Sequence, residues 1–289
     1  MAVENGARCD SFNKQGQTPL HVLCTHGLAE EVERWRQMQQ YSAESHVEQG
    51  EGTGVDNEAE EEANALHIAS DVVDLFMSHG VQLSAQTFTG ETALHLAITR
   101  AGEAATQASS SHALLSTVPA TTEAAAAALE AATEASAIAR EAEALVVALV
   151  GAGAPLHMRN CRGLSPLDLA QTFDDDATKA AGSSAAETSV AHAQGTMPTG
   201  RSHGLVVSLL RHVRHAPPWV PDENVQRCES LHCGKPFSVT ARRHHCRHCG
   251  RVICGACSGR KMALPQLGRH KRVRVCQLCW SVLNFRKLT

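Results

Sequence analysis

Arg242-Arg243-His244-His245-Cys246-Arg247-His248-Cys249-Gly250 is the most informative stretch of this 289-residue chain. It joins fixed guanidinium charges and imidazoles to a C-x2-C pair, the spacing at which two thiolates in a tight turn reach one tetrahedral ion. Outward from it lie Cys228/Cys233, Cys254/Cys257 and Cys276/Cys279, so eight of the 11 cysteines fall between 228 and 279. Eight ligands make two four-sulfur sites. Four thiolates leave no open position for water or substrate, so the expected cofactor is two structural Zn²⁺. Disulfides are the poorer reading for a chain kept in a reducing compartment.

The charge of the chain divides at the same place. Residues 219–289 carry fourteen lysines and arginines against three acids, and residues 1–218 carry twelve against twenty-seven. A total of −4 is therefore an acidic body of −15 joined to a basic module of +11. Eight thiolates and two Zn²⁺ would lower the module to +7. Aromatic residues are scarce, with 3 Trp, 1 Tyr and 6 Phe. A module of about 70 residues this poor in core-formers draws its folding free energy from metal. The longest nearly apolar stretch, 145–156, is too short for the ~20 residues that span a bilayer. No charged-then-apolar start stands at Met1, and the expected location is cytoplasmic.

Two further strings flank the basic core: Trp219-Val220-Pro221-Asp222 before it and Arg274-Val275-Cys276 after it. Together the three resemble the WxxD, R(R/K)HHCRxCG and RVC signatures of the FYVE zinc finger over residues 219–285. The resemblance implies a small zinc-stabilised α+β finger with cross-braced sites. Cys228, Cys233, Cys254 and Cys257 would hold one zinc, and Cys246, Cys249, Cys276 and Cys279 the other. It also implies binding of phosphatidylinositol 3-phosphate through Asp222, Arg242, Arg243, His244, His245, Arg247 and Arg274. Arginines suit a phosphomonoester because they are permanently charged, bidentate donors. His244 and His245 add donors that are cationic below about 6.5. Asp222 is assigned to the inositol hydroxyls, where it would repel additional phosphates. Val239 and Thr240 form the tip of the expected membrane-insertion loop, with Phe237 packed beneath. His248 fills a variable position and is expected to face solvent, and Trp280 is expected to act as a packing bookend, the alternative to a binding role for Trp219 as well. One departure stands out: the first pair is x4 where the family has x2, which makes His232 an alternative ligand to Cys233.

The acidic body holds recurring strings. Gly16-Gln-Thr-Pro-Leu-His21, Ala63-Asn-Ala-Leu-His67, Gly90-Glu-Thr-Ala-Leu-His95 and Gly163-Leu-Ser-Pro-Leu-Asp168 resemble the T-P-L-H start of ankyrin repeats. The physical logic is a polar N-cap, a residue tolerated at the first helical position, then an apolar inner face. The expected fold is thus an α-helical ankyrin-repeat solenoid of about four degenerate repeats with long low-complexity insertions. Repeats are expected over 13–100, with Ala63–Ile98 the firmest part and an acidic insertion at about 48–62. An alanine-rich insertion follows at 101–143, then repeat continuation over 144–171, a linker at 172–203 and a final helix at 204–215. The insertions are expected in loops, with 121–143 a solvated, partly formed helix and Asp174-Asp175-Asp176 a solvated charge run.

No P-loop, nucleophile elbow or paired-carboxylate arrangement is present, and the metal ligands are saturated. The expectation is a non-enzymatic adaptor, peripheral on early endosome membranes. Its repeats would hold a protein partner, and weak homodimerisation would supply avidity. The alternative is a RING-like E3 ubiquitin ligase with substrate-binding repeats. RING spacing wants a histidine ligand, and WxxD and RRHHCR would then be unexplained. Nucleic-acid binding lacks a recognition helix or stacking aromatics.

Overall fold

The computed structural model describes residues 9–28, 56–117, 119, 122–180, 204–230 and 233–285. The chain divides into two compact units, with the break between Leu149 and Val150.

In the first unit, helices α1 (Pro19–His26), α2 (Asp56–Ser78) and α3 (Ala93–Leu115) are followed by α4 (Glu123–Gly151), whose end crosses the break. Two of the helices start in the same way. Asn13 N–H donates to the Gln17 carbonyl and Gly16 N–H to the Asn13 carbonyl; Thr87, Glu91 and Gly90 repeat both bonds. Gly16 and Gly90 sit at φ +72° and +75°, the left-handed region where a Cβ is strained. Each turn delivers a threonine N-cap with histidine at the third helical position, a capping box. His21 Nδ1 accepts from Thr18 N–H at 3.1 Å, which leaves its proton on Nε2. That nitrogen donates to the carbonyls of Ala85 at 3.1 Å and Glu91 at 3.2 Å, in the turn before α3. Helix α1 packs on α3, with Leu20, Cys24, Leu94 and Ile98 almost wholly buried.

The second string departs from its expectation. Ala63–His67 begins nothing: it lies inside the unbroken α2, which runs on to Ser78. Among the described residues, three strings, not four, begin a helix, and the Ala63–Ile98 assignment keeps only its second half. Aligning Leu66 with Leu20 puts Glu62 where the others have glycine, and glutamate does not favour positive φ.

The insertions lengthen helices instead of forming loops. Helix α3 continues past residue 101 to Leu115, and α4 starts at Glu123. Alanine forms helix at little entropic cost. Its small side chains also make a buried stripe here: Ala97, Ala101, Ala104 and Ala108 on α3, and Ala125, Ala132, Ala135 and Ala142 on α4. The expectation of a solvated 121–143 segment is therefore corrected. Arg100 of α3 and Glu141 of α4 pair at 2.9 Å, each 14% exposed, and Leu28 N–H also donates to Glu141. The acidic stretch at 48–62 is described from Asp56, where it joins α2.

The second unit opens with a third copy of the turn: Asn160 N–H donates to the Leu164 carbonyl and Gly163 N–H to the Asn160 carbonyl. Ser165 caps α5 (Pro166–Ala180), which extends into the expected 172–203 linker; residues 181–203 lie outside the described residues. Helix α6 (Leu205–Arg211) packs against α5. Asp174 is no solvated charge. Its two carboxylate oxygens accept from Leu205 N–H at 2.9 Å and Val206 N–H at 3.1 Å, neutralising the positive end of α6. Gly204 permits the approach, since a Cβ there would lie 2.5 Å from Asp174.

The cysteine module follows. Strands β1 (His244–His245) and β2 (Val252–Ile253) pair antiparallel, as do β3 (Arg260–Leu264) and β4 (Arg269–Val275). Helix α7 (Gln277–Phe285) closes the module and packs on α6 and β3. One apolar cluster is small: Val220, Val225 and Val252, with Phe237 against them.

Candidate metal centres and anion-binding face

The eight module cysteines gather in two tetrads. The sulfurs of Cys228, Cys233, Cys254 and Cys257 lie within 4.8 Å of one another, as do those of Cys246, Cys249, Cys276 and Cys279. Pairs one and three meet, and pairs two and four, giving the cross-brace. A tetrahedron with metal–sulfur bonds of about 2.3 Å has edges of about 3.8 Å. Cys233 and Cys254 sulfurs are 3.8 Å apart, and those of Cys249 and Cys276 3.9 Å. Backbone donors support the sulfurs: Cys254 N–H points at Cys228 at 3.2 Å and Cys276 N–H at Cys246 at 3.3 Å. Burial pushes the Cys228 thiol up to about 12, so a cation is what keeps such sulfurs ionised together. The wide first knuckle delivers Cys233 to its tetrad; His232 lies outside the described residues.

His248 is a correction. It is fully buried, and its Nδ1 lies 3.3 Å from the sulfur of Cys279. Burial pushes the imidazole down to about 4, so the neutral ring donates Nδ1–H to the thiolate. Trp219 is 63% exposed.

The basic residues share the surface above the second tetrad. Arg247 N–H donates to the Arg274 carbonyl at 2.9 Å, which ties the basic core to β4. His244 is half-buried; burial, then the charges of Arg274 and Arg242, hold its pKa below the ordinary value. The three groups are thus close enough to repel, the condition an anion relieves. Arg242 is fully open to solvent, whereas Arg274 also donates to the Ser258 hydroxyl at 3.2 Å. Arg243 donates to the Val225 carbonyl at 2.9 Å and lies over Phe237. His245 is buried, spends Nε2–H on the Val220 carbonyl at 2.8 Å and stacks on Trp219 at 3.8 Å. Arg247 lies over the same indole. Arg243 and His245 therefore shape the site as much as they face it. Asp222 is exposed on the turn Asp222–Asn224, with no ion pair to these cations among the described residues.

Beside this face, Ser238 and Ala241 close a turn by backbone and hydroxyl bonds. Its tip presents Val239, 91% exposed, and the open Thr240. The β3–β4 hairpin adds exposed Arg260, Lys261, Arg269, Lys271 and Arg272. Lys261 lies directly across from Arg274, a like-charge juxtaposition that is costly without a counter-anion.

Two interleaved four-cysteine centres beneath an arginine-rich strand define a cross-braced zinc finger. Residues 218–285 match the FYVE zinc finger family, and this part of the chain is a FYVE zinc finger, which binds two zinc ions. Among similar proteins are the lateral signaling target protein 2 homolog of Brugia malayi and lateral signaling target protein 2 of Caenorhabditis elegans, each 47% identical over 62 residues. That match covers 22% of this chain and 10% and 9% of those proteins, so the chain spans about a tenth of their length. The LM5-1 FYVE domain from Leishmania major is 35% identical, covering 32% of this chain and 92% of that domain, with a TM-score of 0.22. The VHS and FYVE tandem domains of Hrs, a protein involved in membrane trafficking and signal transduction, align at 21% identity over 77% of this chain and 97% of that one. The TM-score is 0.23. No helix among the described residues is long and apolar enough to cross a membrane.

Proposed function

We propose that the chain is a non-enzymatic adaptor: its finger binds phosphatidylinositol 3-phosphate on early endosome membranes while its helical copies, read as ankyrin repeats, hold a protein partner. The observation that carries the lipid half is the convergence of Arg242 and Arg274 on His244, next to a loop whose Val239 is 91% exposed. A dianionic phosphate relieves that repulsion, and the loop supplies an apolar foot. Burying one valine and a threonine methyl contributes a few kcal/mol at ~25 cal/mol per Å², and each cation near an anionic surface about 1 kcal/mol. Attachment is therefore peripheral and reversible, and self-association would strengthen it. The repeat reading is supported by the turn-plus-cap unit at Gly16, Gly90 and Gly163. A RING reading wants a histidine ligand, and both tetrads are all cysteine.

The test is sedimentation of the full chain with liposomes carrying one phosphoinositide each, at several protein concentrations. Binding should be confined to the 3-phosphate and fall at least tenfold in Arg242→Ala, with zinc content unchanged. Equal binding to every phosphoinositide, or no loss in Arg242→Ala, sinks the headgroup assignment.

A further inference from the structure

The third copy of the turn-plus-cap unit departs from the first two at the third helical position. Where they carry His21 and His95, it carries Asp168. In the first copy, His21 uses its outer nitrogen on the turn of the next copy, at Ala85 and Glu91. Asp168 does the local half of that task, its Oδ2 accepting from Ser165 N–H at 3.1 Å and from the Ser165 hydroxyl at 2.8 Å. Its Oδ1, however, accepts from Arg251 of the finger.

Arg251 is 4% exposed, and Asp168 is its one carboxylate partner among the described residues. A buried guanidinium without a counter-charge is strongly destabilising, and where the finger meets the third copy Asp168 supplies that charge. A second link runs beside the first. Arg159 reaches Asp168 at 3.0 Å and Glu229 at 2.7 Å. Glu229 belongs to the widened knuckle after Cys228, and its other oxygen accepts from Val252 N–H at 2.7 Å. Apolar packing completes the contact: α6 lies on α7, and Pro217 presses on Gly250, where a Cβ would be 2.9 Å away.

We propose that the FYVE finger is the cap of the third helical copy, taking the place of a next repeat through Arg251–Asp168 and Glu229–Arg159. The third copy and the finger then fold as one zinc-dependent unit. Repeat arrays need an end element that covers the last copy's inward face; here the metal module does so.

Hydrogen exchange of the full chain, read by mass spectrometry, tests this. Removing zinc with a chelator should speed exchange in 166–173 and 205–211 about tenfold or more, together with the finger, while 19–26 and 93–99 stay protected. Retained protection in 166–173 and 205–211 after zinc loss overturns the proposal. Asp168→Asn, assayed with both zincs bound, should speed exchange at 251–254 inside the finger, and unchanged exchange there also overturns it. Ser165→Ala separates capping from docking, because it removes the helix cap and leaves the Arg251 link. It should loosen 166–169 without altering 251–254; an effect on 251–254 equal to that of Asp168→Asn reduces the link to helix capping.

Discussion

His248 Nδ1 stands 3.3 Å from the sulfur of Cys279, inside a fully buried site. A donor on a zinc thiolate fixes the ligand's orientation and spreads its charge. Replacing His248 with Phe keeps volume and removes the donor. Affinity of the second zinc site should fall about 10- to 100-fold, measured by competition with a chromophoric chelator. Unchanged affinity would show that the histidine only fills space.

Metal content follows from the tetrads. The purified chain should hold about two zincs per molecule by elemental analysis, and substituting Cys233 with Ser should remove one of them. A wild-type value of one would mean the x4 knuckle does not close its site.

Val239 is placed to test the apolar foot. Val239→Asp puts a charge at the tip of a loop whose neighbours are solvent, so zinc content and folding should not change. Residence on liposomes carrying the 3-phosphate lipid should shorten about tenfold or more, read by surface plasmon resonance. Equal residence would place the loop away from the bilayer.

His21 makes the first unit sensitive to acid. Burial holds its pKa below 6.5, against opposing contributions from the Ala85 and Glu91 carbonyls. The unfolded chain therefore takes up a proton at about 6.5 before the folded one does. The stability from this group is present above that value and is lost as pH falls toward the folded pKa. The protection factor at 93–99, corrected for the intrinsic exchange rate at each pH, should fall between about pH 7 and 5.5, and His21→Gln should flatten that dependence. An identical slope in the variant would assign it to other groups.

How much of this was legible depended on how local the physics is. Zinc ligands come in pairs within a few residues, so both centres could be read from spacing, although only resemblance gave the cross-brace. The turn before α3 was equally readable, because Gly90 and Thr92 act on their own neighbours. Ala63–His67 misleads because the T-P-L-H pattern does not include the preceding glycine; Glu62 at that position is the available signal. The alanine stripes were missed because alanine is a weak hydrophobic marker, and its burial depends on what packs against it. His248 misleads for a similar reason: Val213, His215, Ala216, Pro217 and Pro218 line the same small cavity, and nothing near His248 in sequence announces them. Asp174 capping α6 from 31 residues away and Asp168 receiving Arg251 from 83 away are contacts between segments that no local pattern encodes.

The widened knuckle has a last consequence. Cys228 belongs to a metal tetrad and the adjacent Glu229 holds Arg159, so two neighbouring residues serve coordination and docking. Asp168 holds Arg251 as well, so two ion-pair links join the finger to the helix that starts at Pro166 and its preceding turn. Flexible linkers let a tethered domain sample a volume set by their length. A clasp of this kind sets a pitch instead. Whatever surface holds the finger would thereby dictate the angle at which the last helical copy is offered to the solvent.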